Sequence, residues 1–301
     1  MYLFYLLFLY GLHIVIKNFN NKRVQLLMMH PNAPKIFIYT ALPCEAKPLA
    51  EYFSLKKEVG IQPFAVYLNH DICLTVTGLG KSAMAAGVAY TQALFAPVEH
   101  PVMLNIGIAG HKDHPLGGLF LIDKIIDGDS QKSYYPSLIF TPTCCTGSIQ
   151  TASKPQLGYD QPHLCDMEAS AFYETAVRFS TSELILCLKV ISDNQRSSVE
   201  AIQPKQVAAL IAAHLATVES LLMRTVALAE LITTPEPKLF EQLLLRYRFT
   251  VNERMQLKNQ LSRWNVVTNH QSFEFDETGL HSGKDVLRWL EQRIDNTDFS
   301  L

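Results

Sequence analysis

Three carboxylates stand where an apolar strand pattern gives way to a helical one: Glu45 in "ALPCEAKPL", Glu168 in "CDMEASAFYE" and Asp193 in "VISDN". In an α/β sheet this edge, at the carboxyl ends of the strands, is where ligands bind. A single acid there can simply complement a helix dipole, worth roughly 0.3–1 kcal/mol. Three of them in equivalent places point to a site. "CDMEASAFYE" adds a puzzle, because it sets Asp166, Met167 and Glu168 together at the start of a helix that should meet the core. A second cluster of chemically capable residues, His111, Asp113 and His114, lies in "GHKDHPLGG". An HxxH pair without a helix or a further ligand does not fix a metal geometry, so no metal is expected there.

The elements that must position these residues follow from hydrophobic periodicity. "KIFIYTAL" reads as a buried strand that runs through a loop bearing Cys44 and Glu45 into the helix "EAKPLAEYFSL". "FAVYLNHDICLTVTGLG" reads as a hairpin turning near Asn69 to Asp71, "KSAMAAGVAYTQALF" as a small-residue helix, and "VMLNIGIAG" as a buried strand. "GGLFLIDKIID" and "PSLIFTP" are strand-like, whereas Thr141 to Pro162 reads as a loop-rich stretch suited to covering a substrate. The helix "DMEASAFYETAVRF", the strand "LILCLKVIS" and a long helix from about Pro204 to Ile232 complete the alternation. The expectation is an α/β fold with a mixed, mainly parallel central sheet flanked by helices.

Three domains are expected: an apolar segment at 1–34, an α/β domain at 35–233, and a small, mostly helical appendage at 234–301 beyond the linker "TTPEPK". In the appendage, "TVNE" is a capping box for "RMQLKNQLSRW", Ser282 with Asp285 starts a last helix, and "FEFDETG" suggests a short strand or turn. Its nine basic residues are matched by ten acids, which favours an interaction or lid module over a DNA reader. The whole chain of 301 residues has a formal net charge of -2, so nothing in its charge calls for a nucleic-acid partner. The opening "MYLFYLLFLYGLHIVI" falls short of the roughly twenty apolar residues that span a bilayer. It reads as an over-long start before Met28 or Met29, with a membrane anchor as the alternative. The six cysteines form no CxxC pair and read as reduced thiols of a cytoplasmic protein. "GLGKSA" matches neither a P-loop nor a dinucleotide fingerprint.

Taken in order, "ALPCEAKPL", "TGLGKSAMAAG", "NIGIAG", "CDMEASAF" and "VISDN" resemble the nucleoside phosphorylase and nucleosidase superfamily, closest in pattern to the 5'-methylthioadenosine/S-adenosylhomocysteine nucleosidases. The resemblance spans Ile36 to about Ile232. It implies a phosphorylase-like fold, cleavage of the N-glycosidic bond of a purine nucleoside, no cofactor and no metal, and a homo-oligomer of two or more subunits. Breaking that bond puts oxocarbenium character on the ribose and negative charge on the leaving purine. The resemblance makes Asp193 the general acid toward purine N7, which requires a proton held on its carboxyl. It makes Glu45 the base for an attacking water, Glu168 the acceptor of both ribose hydroxyls, and Met167 a packing surface for the sugar. Gly80, Ile108, Ala109, Gly110, Lys189 and Ser192 are implied to line the substrate pocket, the 110–118 loop to run near the ribose, and Asp166 to be a solvent-facing acid without a catalytic role.

The sequence also departs from that pattern. Phosphorylases of the superfamily hold phosphate with an arginine and a serine where Asn105 and Ile108 stand. Neither replacement compensates a dianion, so water is the expected nucleophile. Lys189 stands where an arginine is usual, and the 141–162 stretch lacks the family's glycine-aspartate-phenylalanine run that helps enclose the base. The resulting expectation is hydrolysis of an adenosine-type nucleoside. The alternatives are a phosphate-dependent phosphorylase, a non-catalytic nucleoside-binding protein, and an enzyme acting on a lipid-linked adenosyl compound.

Overall fold

Four strands of nearly unbroken burial form the spine of the molecule: β1 (Ile36–Thr40), β4 (Ile72–Val76), β5 (Val102–Gly110) and β10 (Ile185–Asp193). Runs of this kind, apolar at successive positions, belong to strands covered on both faces. The computed structural model describes residues 33–95, 98–156, 158–198, 200, 202–233, 238–268 and 279–296. The apolar opening segment therefore lies outside the described residues. So do positions 273–278 of "FEFDETG".

Along the chain β1 leads into α1 (Pro43–Tyr52), followed by β2 (Lys56–Lys57), β3 (Ala65–Leu68), β4 and α2 (Lys81–Leu94). After β5 come β6 (Leu119–Asp127), β7 (Ser133–Tyr134), β8 (Cys145–Thr151), β9 (Leu164–Asp166) and α3 (Ala169–Ala176). Then β10 precedes α4 (Pro204–Ala212) and α5 (Leu215–Ile232). Strands β4, β1, β5 and β10 pair in parallel in that order. From β10 the sheet continues antiparallel to β6, parallel to β8 and parallel to β9, which returns to β5 through the pair Gly110↔Cys165.

The sheet is thus a closed five-strand ring, β5-β10-β6-β8-β9, with β1-β4-β3-β2 as a wing extending from β5. Mixed α/β architecture is what the alternation predicts; a mainly parallel open sheet is not what forms. Five of the ten strand pairings are antiparallel, and the β9–β5 seam closes the edge. Closure removes edges that would otherwise offer unpaired backbone groups.

Four local expectations are also corrected. The "PSLIFTP" stretch is not a strand, and the loop-rich reading of 141–162 conceals β8. Its cysteine, threonine, glycine and serine content suggests turns, but the ring supplies partners on both sides of it. "CDMEASAF" is divided, with Leu164–Asp166 in β9 and the helix beginning only at Ala169. The long helix from Pro204 is two helices meeting at a 54° bend. No single helix among the described residues is long and apolar enough to cross a membrane.

Helices cover both faces. Met84 and Val88 of α2 and Phe172 and Ala176 of α3 share a core with Phe37, Tyr39, Met103 and Ile149. Ala46 and Leu49 of α1, Ile211 of α4 and Val218, Leu221 and Leu222 of α5 pack on the other side with Ile38, Leu104, Leu121 and Leu188. Each fully buried aliphatic side chain of this kind contributes about 1.5–3 kcal/mol.

A second compact unit begins at Thr234. It contains α6 (Lys238–Arg246), α7 (Val251–Val267) and α8 (Gly283–Asp295). The Thr250 hydroxyl takes the Glu253 N–H while Glu253 takes the Thr250 N–H, so the capping box forms. Ser282 caps α8 by accepting from the Asp285 N–H. Phe249, Leu257, Leu261, Val286 and Leu290 form its own core.

Candidate active site

Glu45 is the third residue of α1, not a loop residue, and it is buried. Its Oε2 accepts the backbone N–H groups of Ala41 (2.9 Å) and Leu42 (2.8 Å). The Leu42 bond is half of a capping box, made by a carboxylate three residues into the helix. Its Oε1 reaches across to β5 and accepts the Ile108 N–H at 2.9 Å. Only glycine permits this approach, since a Cβ on Gly107 would stand 2.8 Å from Oε1. Burial pushes the Glu45 carboxyl above its ordinary range, against the three backbone donors and the positive charge of Lys189. A carboxylate has about four lone-pair positions. Three accepted bonds therefore leave one lone-pair position uncommitted.

Glu168 occupies the N-cap position of α3 and its Oε1 accepts the Gly80 N–H at 2.7 Å. Gly80 has φ +93° at the N-terminus of α2, a left-handed backbone suited to glycine. The Glu168 carboxyl is pushed up to about 7, first by burial and then by the negative charge of Asp166, with Lys189 opposing. Met167, beside it, is half-buried.

Asp193 closes β10. Its Oδ1 accepts from the Ser192 hydroxyl and its Oδ2 from the Tyr159 hydroxyl at 2.8 Å. Here again β5 supplies a glycine: a Cβ on Gly110 would lie 2.5 Å from Asp193 Oδ2. The backbone continues the same junction, with the His111 N–H donating to the Asp193 carbonyl. The 110–118 loop is zipped to the end of β10, because Gly117 N–H donates to Ile191 O and Asn194 donates to His114 O. The loop therefore adjoins Asp193. His111 Nδ1 accepts the N–H groups of Asp113 and His114, and its ring stacks on His114 with centroids 3.8 Å apart. Burial, with His114 nearby, lowers the His111 imidazole below its usual value. Among the described residues no group of three or more His, Cys, Asp or Glu side chains is placed to hold a metal ion.

Asp166 is the main correction. It does not face solvent: its side chain is 1% exposed and forms an ion pair with Lys189, itself 2% exposed, at 2.9 Å. Oδ1 also accepts the Thr151 hydroxyl, and Oδ2 the Ala169 N–H. Burial alone would lower the Lys189 ammonium, but the negative charge of Asp166, with Cys187 and Glu168 behind it, outweighs burial and holds it above its ordinary value. A buried cation flanked in its strand by apolar residues needs such a partner. Lys189 pairs in register with Gly107 of β5, which places it beside the Glu45 seat. The network runs further. Thr151 accepts the Ser170 N–H, Ser170 Oγ donates to Asp127 Oδ2 at 2.7 Å, and Lys81 donates to the same oxygen at 3.0 Å.

Of the other expected lining residues, Ala109 and Ser192 are buried and Ile108 is half-buried. Ile108 gives Glu45 its N–H. Asn105 is turned into the sheet: its amide donates to the Tyr39 carbonyl at 3.2 Å, and its oxygen accepts from the Cys187 thiol. Asp166 could have been found from sequence, since a lysine inside "LILCLKVIS" demands a buried carboxylate. Nothing in the sequence singles out Tyr159.

No protein-family model matches the sequence, and no curated protein matches it. Solved structures do. The 5'-methylthioadenosine nucleosidase of Arabidopsis thaliana in apo form superposes with a TM-score of 0.52 at 16% identity, over 64% of this chain and 96% of that one. A variant of the Chlamydia trachomatis MTAN gives a TM-score of 0.51 at 16% identity, over 64% and 100%. The Colwellia psychrerythraea 5'-methylthioadenosine/S-adenosylhomocysteine nucleosidase in complex with adenine gives 0.50 at 15% identity, over 64% and 96%. This is the nucleoside phosphorylase/nucleosidase fold. Within the nucleosidase fold of this chain, Glu45 and Asp193 each meet a glycine of the same strand, and Lys189 acts electrostatically on both Glu45 and Glu168.

Proposed function

We propose that the chain hydrolyses the N-glycosidic bond of an adenosine-type purine nucleoside. The observation that carries this reading is the alignment of Glu45 and Asp193 on β5, at Gly107 and Gly110, with the Glu168 carboxylate close enough to Glu45 for their charges to interact. In this reading the sugar lies between Glu45, as the water-activating base, and Asp193, as the proton donor.

In the proposed reaction Glu168 accepts the ribose hydroxyls and Met167 packs on the sugar. A water bound to Glu45 attacks C1′ while the C1′–N9 bond breaks and its electron pair passes to the base. Glu45 takes the water proton, and Asp193, carrying a proton, delivers it to N7. The products are free base and ribose with its 5′ substituent. A raised carboxyl makes Glu45 a stronger base than an ordinary glutamate.

Hydrolysis is favoured over phosphorolysis by two observations. The Asn105 side chain is committed to Tyr39 and Cys187, and the N–H of Ile108 is committed to the Glu45 carboxylate. A phosphate dianion at that corner would meet the Glu45 carboxylate, while Lys189, the cation beside that seat, is already paired with Asp166.

The test is release of free base, followed by chromatography, from adenosine, inosine, methylthioadenosine and adenosylhomocysteine, with and without phosphate. Release independent of phosphate is expected, and Asp193→Asn should lower kcat by roughly 10²–10⁴-fold, the range of general acid catalysis. Strict dependence on phosphate would establish the phosphorylase instead. Binding without release from any of the four would leave a nucleoside-binding protein.

A further inference from the structure

The reaction proposed above uses Asp193 but gives no part to the residue that holds it. Tyr159 stands between β8 and β9, in the stretch where the sequence lacks the family's base-enclosing run. Its hydroxyl donates to Asp193 Oδ2 at 2.8 Å. Its ring lies against β5, with Cε1 3.4 Å from the point where a Gly110 Cβ would stand. Its φ is +48°, in the left-handed region that a non-glycine residue rarely adopts. Such a conformation persists where surrounding contacts hold it.

Ser192 already donates to Oδ1, so both oxygens of Asp193 receive hydroxyl donors. A general acid needs the opposite arrangement, with a proton on the oxygen that meets the leaving base. The Ser192 donor belongs to the same buried strand as Asp193, next to it in the chain. The Tyr159 donor comes from a connecting segment and reaches its partner through a side chain with two rotatable bonds.

We infer that Tyr159 is the positioning residue of the base half of the site: its phenol occupies Asp193 Oδ2 in the ligand-free chain and is displaced by the ring nitrogen of the entering purine. This rests on the nucleosidase reading. When the base arrives, the Tyr159–Asp193 bond breaks, Asp193 takes a proton from solvent, and the new bond runs from Asp193 to the base. Binding of a base therefore carries the loss of the Tyr159 bond as a standing cost. A hydrogen bond to a charged group contributes about 1.5–3 kcal/mol, equivalent to roughly 10–100-fold in affinity.

Titration calorimetry of the full chain with adenine tests this. Tyr159→Phe keeps the ring and removes the hydroxyl. Adenine should bind it about tenfold more tightly than wild type, and KM for methylthioadenosine should fall. In an Asp193→Ala background the same substitution should change adenine affinity less than twofold, because the competed oxygen is gone. Unchanged or weaker adenine binding by Tyr159→Phe, or an equal gain in the Asp193→Ala background, would overturn the inference. A wild-type chain that releases base from nucleosides while Tyr159→Phe gains nothing would overturn the inference alone. A wild-type chain that neither binds adenine nor releases base would remove both readings.

Discussion

The two units of the chain use the same charged residue types in opposite ways. In the α/β unit, Lys189 and Asp166 are almost wholly buried, and their pair is extended by Thr151, Ser170 and Asp127 into a continuous polar network. In the C-terminal unit, Arg263 and Asp295 face each other at 3.8 Å with more than half of each side chain in solvent. An exposed pair gains little, because water already solvates both partners. A buried pair has lost that solvation and depends on every remaining bond. The buried pair of the first unit is therefore a constraint imposed around Glu45 and Glu168; the Arg263–Asp295 pair of the second lies on a solvated face.

The sharpest way to break this contrast is to remove one partner of the buried pair. Asp166→Ala leaves the Lys189 ammonium in the sheet without its carboxylate, and should cost about 3–5 kcal/mol of stability. Urea unfolding of the variant measures it, and a loss under 1 kcal/mol would mean that Lys189 finds another partner at no cost.

Glu168 offers a finer test, because its sign is opposite. Its carboxyl titrates at about 7 in the folded chain against an ordinary 4.5. Below 4.5 both states are protonated. Between 4.5 and 7 the unfolded chain releases its proton while the folded chain keeps it, so stability contributed by this group falls as pH rises through that window. Glu168→Gln should therefore be more stable than wild type at pH 8, by about 1–3 kcal/mol at roughly 1.4 kcal/mol per unit. Near pH 4 the difference should vanish. Thermal melts at the two pH values read it directly. The same variant should lose turnover, since an amide binds the ribose hydroxyls less well than a carboxylate.

The smallest effect belongs to the exposed pair. Arg263→Ala should change stability by less than about 1 kcal/mol and become indistinguishable from wild type in high salt.

Much of the α/β unit is legible in the sequence because its buried strands are apolar runs and its acids stand at their ends. Glu45, Glu168 and Asp193 are visible for that reason, and the N–H donors that hold Glu45 and Glu168 are local or follow from the strand order. What the sequence hides is set by closure. β8 is polar enough to read as loop, and only its two neighbours in the ring make it a strand. Asp166 resembles an ordinary helix-start acid until β10 brings Lys189 to it from 23 positions away in the sequence. Tyr159 reaches Asp193 across a turn whose backbone no composition rule predicts. The appendage is different again: its capping box and its Ser282 start are local signals, and both form where they are written.

Gly107 and Gly110 are three residues apart on one strand, and each is a notch cut for one carboxylate. At about 3.3 Å per residue the notches are roughly 10 Å apart along β5. In the proposed reaction the strand would work as a gauge: the reach between water and leaving group would be marked off in backbone, not in side chains that could rotate or repack. A one-residue slip of β5 would carry both marks with it and leave two methylene or methyl groups where two carboxylates must sit. The tolerance of the site to change is therefore set less by Glu45 and Asp193 themselves than by two residues that have no side chain at all.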